Sequence, residues 1–165
     1  MKPLFTILLI STLFFSCAPN EDDLNLYDEA TNEVISTSVE YSSIELEILD
    51  IVNNYRVSEN LSKLQTLNII SNVANEHTNY MIQTGEVSHA NFNLRAQNLI
   101  TNAKAKSVSE NIAYGYSSAQ AVFNGWLNSE SHKKIMDNPN FTHFGISSGS
   151  DIQGRNYFTH IFIER

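Results

Sequence analysis

The 165-residue chain has a single cysteine, Cys17, so no disulfide can form within it. Long hydrophobic runs are also missing. The apolar stretch from Leu4 to Phe15 is far shorter than the ~20 residues a membrane-spanning helix needs, and no later segment approaches that length. Positive charge is scarce: 10 Lys and Arg stand against 18 Asp and Glu, a net charge of −8, and the only adjacent basic pair is Lys133–Lys134. That balance excludes binding to nucleic acid through its phosphates and argues against docking on anionic lipid headgroups by charge alone. GISSG at 145–149 has the letters of GxSxG but falls within a predicted strand and makes no strand-to-helix elbow; there is also no glycine-rich phosphate loop and no HExxH pair, so the phosphate and helical zinc signatures are absent. From residue 43 onward the chain also lacks repeats and low-complexity tracts.

What is present begins with MKPLFTILLISTLFFSC, where one early lysine, an apolar run and a cysteine make an export signal. The stretch LFFSC resembles a lipobox, the site at which bacterial lipoproteins are cut before a cysteine that then receives lipid. On that resemblance residues 1–16 are removed, Cys17 is lipidated, and the protein sits in the bacterial cell envelope, attached to the outer membrane. The alternative is an ordinary signal peptide cut a little further on. Residues 17–42 are acidic, rich in serine and threonine, and without a sustained hydrophobic period, which is the composition of a flexible tether. Residues 43–165 then make one domain of ordinary size with one core.

Periodicity gives the elements. Ile44, Ile48, Ile51, Val52 and Tyr55 recur at three- and four-residue spacing behind Ser42–Ser43 and predict an amphipathic helix. A second helix is predicted from about Leu67 to Thr84, with Ile70, Val73, Ala74, His77 and Met81 on one stripe and Gly85 as its stop. A third runs from about Ser118 to Asn128. Residues 85–110 read as loop-rich, closing on ENIAYG, a strand or extended segment. Aromatic and β-branched residues on either side of DIQGR predict a terminal β-hairpin, with strands near 143–149 and 155–164. Helices followed by a hairpin define an α+β domain, helices packed on an antiparallel sheet.

Five histidines are present, at 77, 89, 132, 143 and 160, and no two have the i, i+4 spacing of a helical metal pair, so any site must be assembled across the fold. The order of short blocks, AnEHtnyMiqtGevSHaNF at 74–92, SENIAYG at 109–115, WLNSESHKKIM at 126–136, then FTHFGI and YFTHIF, resembles the CAP superfamily, or SCP domain. This family includes cysteine-rich secretory proteins, antigen 5 and plant pathogenesis-related proteins. NNYR in the first helix and Arg95 after the SH block add to the match, which is nearest to the bacterial exported branch.

The resemblance implies an α–β–α sandwich and a cleft lined by two histidines and two acids. His89 takes the place of the first family histidine and Glu110 that of the first acid. Ser129 stands where animal and plant members have the second acid, and Tyr157 where they have the second histidine. SESH at 129–132 fits the SPGH-like sequence of the bacterial branch, which makes His132 the third cleft candidate. Glu130 occupies the usual proline position and gains no role from the match. Glu130 and His132, two residues apart, also point about 200° apart on a helix and cannot face one ligand together. Ser129 as an N-cap with Glu130 in the first turn is the competing reading of that pair.

His77, on a buried stripe, is a hydrogen-bonded core or cleft-floor residue before it is a ligand. Glu110 beside apolar neighbours needs a partner, and a histidine can supply one. His143 and His160 belong to the hairpin. His89, His132 and Glu110 form the expected set for zinc or another divalent cation, which accepts nitrogen and oxygen ligands. Two functions follow from such a cleft: a lipid-anchored binding or interaction module, with a ligand or protein partner, or a hydrolase acting on peptide, lipid ester or cell-wall substrates with His89 or His132 as general base.

Overall fold

The computed structural model describes residues 38–165. The signal peptide, Cys17 and most of the tether lie outside the described residues. The first helix, α1 (Ser43–Ser58), starts on a capping box, in which the Ser42 backbone N–H and hydroxyl both donate to Glu45 Oε2, at 2.7 and 2.8 Å. Then follow β1 (Gln65–Thr66), α2 (Asn68–Thr84), α3 (Phe92–Asn102), β2 (Ser107–Tyr114), α4 (Ala119–Leu127), α5 (Glu130–Met136), β3 (His143–Ser150) and β4 (Asn156–Glu164).

The strands form one sheet in the order β1-β3-β4-β2. The terminal hairpin is present, with His143 opposite Ile163, and β2 pairs antiparallel on the other side of β4, with Glu110 opposite Ile161. One refinement concerns the sheet, which is mixed because the two-residue β1 runs parallel to the start of β3. The polar link after α1 carried no strand pattern, since two exposed residues have no period to show.

Residues 157–163 of β4 are all buried, because helices cover both faces of this inner strand. Phe158 and Phe162 face a layer built from Ile48, Val52, Val122 and Trp126 of α1 and α4. Ile161 and Ile163 face Ile70, Val73 and Leu99 of α2 and α3. The molecule is therefore a helix–sheet–helix sandwich with a core on each side of the sheet.

The loop expected over 85–110 is corrected by α3. Only Arg95 and Leu99 of this helix are buried, and Leu94 is 71% exposed, so no apolar stripe betrays it in the sequence. Its start is set by Asn91 at φ 58°, a left-handed conformation that asparagine tolerates better than most residues.

Candidate functional site

Two helices and one strand converge on Glu110. The strand β2 turns this side chain toward α2 and α3, where it is 1% exposed. From the first turns of α3, Arg95 grips it with both arms: Nε donates to Oε2 and Nη2 to Oε1, each at 2.8 Å. Such a paired geometry gives the strongest kind of charge-assisted bond and answers the cost of burying the carboxylate. His89 Nδ1 donates to the same Oε1 at 2.8 Å, which leaves Nε2 as the remaining nitrogen on a ring whose side chain is 50% exposed.

The loop carrying His89 is fixed from below on both sides. His77 Nε2 donates to the Ser88 carbonyl at 2.8 Å, and Arg95 Nη1 donates to the Ala90 carbonyl at 2.6 Å. His77 is buried on α2, stacked on Tyr80, with its Nε2 4.0 Å from Glu110 Oε1. Burial is the main cause that lowers its pKa; Glu110 opposes this, while Arg95 and His89 add to it. It serves as a neutral hydrogen-bonded residue of the cleft floor.

His132 approaches from the opposite layer. It lies half-buried on α5, whose position is pinned where Asn111 Nδ2 donates to the His132 carbonyl at 3.2 Å. Burial lowers its pKa, and the charge of His89 lowers it further. No hydrogen bond joins the His132 ring to Glu110 among the described residues. Glu130 is exposed in the first turn of α5 behind the N-cap Ser129 and takes no part in the cluster, as the opposed directions of residues i and i+2 require.

The expected divalent-metal set of His89, His132 and Glu110 fits these surroundings poorly. Among the described residues no group of three or more His, Cys, Asp or Glu side chains is placed to hold a metal ion. Both Glu110 oxygens are already committed to a guanidinium, whose positive charge stands where a cation would bind. His143 is held by Thr142 at the β1 side of the sheet, and His160 lies in the core among Trp126, Phe144 and Phe162.

The residue whose role sequence reasoning missed is Arg95. It was legible as the one arginine between Arg56 and Arg155, in a chain where a carboxylate beside apolar residues required a partner.

A sandwich of helices on both faces of a short sheet, with a His–Glu–Arg cluster at the edge of β2, defines a small class of domains. The model of the cysteine-rich secretory protein family, CAP, matches residues 49–162, and the chain belongs to that family. Two relatives from Bacillus subtilis (strain 168) are similar in sequence. The membrane protein YlbC is 34% identical over 141 residues, 84% of this chain and 38% of its own length. YkwD is 30% identical over 124 residues, 72% of this chain and 47% of its own. The chain thus spans less than half the length of either relative.

Among solved structures, an extracellular SCP-domain protein of Bacillus anthracis superposes with a TM-score of 0.65 at 26% identity, covering 78% of this chain and 45% of that one. An outer surface protein of Borrelia burgdorferi reaches a TM-score of 0.67 at 20% identity, covering 78% of this chain and 98% of its own, a likeness of fold.

Proposed function

We propose that this CAP-domain protein is an extracytoplasmic binding module, lipid-anchored through Cys17, that recognises its ligand or partner with the imidazoles of His89 and His132. The observation that carries the reading is the two-armed Arg95–Glu110 bond beneath His89. A carboxylate neutralised in this way is a poor general base and a poor metal ligand. It is well suited to orienting an imidazole, as the Glu110 contact to His89 Nδ1 does. Glu110, Arg95 and His77 are positioning residues in this scheme, and His89 and His132 are the groups that meet the ligand. The outer-surface and extracellular neighbours support an extracytoplasmic setting.

The hydrolase reading keeps one specific observation in its favour. An imidazole held at Nδ1 by a carboxylate has its Nε2 free to take a proton, which is the orienting half of a general-base pair.

The two readings separate in one experiment. The full chain is incubated with panels of peptides, lipid esters and cell-wall glycans, with and without chelator, while the histidine ring signals are followed by NMR. Binding predicts compounds that shift His89 and His132 together without turnover, and loss of that response in His89→Ala. Turnover that disappears in Glu110→Gln would replace the binding reading with the hydrolase. The anchor is checked separately by mass spectrometry of the mature amino terminus, where an acylated Cys17 is expected and a free terminus beyond it would remove the anchor from the proposal.

A further inference from the structure

A second recessed surface lies on the other side of the sheet from β2, where the start of α1, the first turns of α2 and the middle of β3 meet. Its volume is about 390 Å³, within the usual size range of ligand pockets, and its rim includes Ser42, Glu45, Ser71, Asn75, Ser147 and Ser148. This lining departs from the apolar walls that suit lipids and most small hydrophobic ligands. Hydroxyl and amide groups dominate it. Among the described residues, Glu40 and Glu45 are its only charged residues, and no lysine, arginine or histidine lines it.

The polar groups are held in place by one another. Glu45 Oε2 accepts the N–H and hydroxyl of Ser42, and its Oε1 accepts the N–H and hydroxyl of Ser148, so one buried carboxylate ties α1 to β3. The Ser147 hydroxyl donates to Asn75 Oδ1 at 3.2 Å, and the Ser71 hydroxyl lies 2.7 Å from Tyr41 Oη. A rigid wall of this kind loses little freedom when a ligand arrives. Each hydroxyl keeps unused donor or acceptor capacity, and Asn75 keeps its amide donors. The two lining carboxylates repel phosphates, sulfates and uronic acids, and no cation among the described residues lines the recess to offset them.

We infer that this recess is a binding site for a neutral, hydroxyl-rich ligand, one or two sugar rings of a glycan. It is separate from the His89 cleft, so it stands or falls independently of the function proposed above. Sugars present alternating donors and acceptors at the spacing of adjacent hydroxyls, which a wall of serines and an asparagine can match. Val39 and Glu40, near the end of the expected tether, also line the recess.

The test is a titration of the isotope-labelled full chain with the tetramer of N-acetylglucosamine, followed residue by residue in amide NMR spectra. Shifts confined to residues 39–45, 71–75 and 146–148 are expected. Asn75→Leu, at an exposed position that leaves the core intact, should weaken binding about tenfold, whereas His89→Ala should leave it unchanged. Polygalacturonate, which carries hydroxyls and carboxylates together, should not bind. Absence of these shifts at millimolar sugar would overturn the inference, as would shifts centred on His89. Tighter binding of the de-acetylated, amine-bearing tetramer would overturn it too, by showing that the carboxylates select a cation.

Discussion

Glu110 and Arg95 form a pair in which neither member tolerates solitude, with side chains 1% and 9% exposed. Removing the guanidinium by Arg95→Leu strands a carboxylate in the layer beneath His89 and unties the Ala90 carbonyl. The expected loss is about 3–5 kcal/mol in urea denaturation, against a smaller loss for Arg95→Lys, which keeps the charge but not the two-armed grip. A loss below 1 kcal/mol for Arg95→Leu would show that water already reaches Glu110.

At this scale the sequence was informative about which residues matter and silent about how they join. His89 and Glu110 were legible from their blocks, and their contact was the simplest answer to a buried acid. The role of Arg95 depends on a helix with almost no apolar stripe, so no periodic signal pointed at it. Glu130 gained no role from its block, and its place in the first turn of α5 agrees with the N-cap reading of that stretch.

Among the elements, α2 and β3 are in tight contact at Gly145. A Cβ added at Gly145 would stand 2.5 Å from the Ser71 backbone nitrogen and 2.8 Å from Ile70 Cβ. Backbone cannot yield as a flexible side chain does, so Gly145→Ala must push α2 away from the sheet. The cost expected is about 1–3 kcal/mol or more, measured as a lowered denaturation midpoint. A shift of α2 also carries His77 with it, and the loop holding His89 should loosen, visible as faster amide exchange at residues 88–91. An unchanged midpoint would mean the helix has room to spare.

Elements with a strong hydrophobic period were legible: α1, α2, α4 and the terminal hairpin lie within a residue or two of their expected bounds. The hidden ones, α3 and β1, are held by tertiary contact. Their residues look like loop because little of their own surface is buried.

For the molecule as a whole, histidine sets the response to acid. His160 is wholly buried among aromatic rings, no described residue bonds either ring nitrogen, and burial pushes its pKa down to about 3. His77, His132 and His143 are lowered in the same direction, again mainly by burial. As pH falls below the ordinary histidine value of about 6.5, the unfolded chain takes up protons that the folded chain refuses, so stability declines with acid. The slope from His160 alone is about 1.4 kcal/mol per pH unit down to its folded value. His160→Phe should therefore flatten the acid limb of a stability–pH curve while leaving neutral stability equal or higher. An identical slope in the variant would mean that His160 is protonated without unfolding.

The α+β class was legible from the periodic helices and the terminal hairpin, whereas the sandwich came from the family resemblance; the single core expected from chain length is two, one on each side of the sheet. The neutral core histidine was not legible, since a strand histidine flanked by aromatics reads equally well as a surface one.

Glu45 sits at the entrance of the domain and is bonded at once to the first helical turn and to the middle of β3. Any pull transmitted along the upstream chain reaches the fold at this point. It is borne in shear by bonds spread over both oxygens and over two distant segments, so α1 does not peel away one turn at a time. The carboxylate acts as a mechanical clasp between the amino-terminal end of α1 and the sheet.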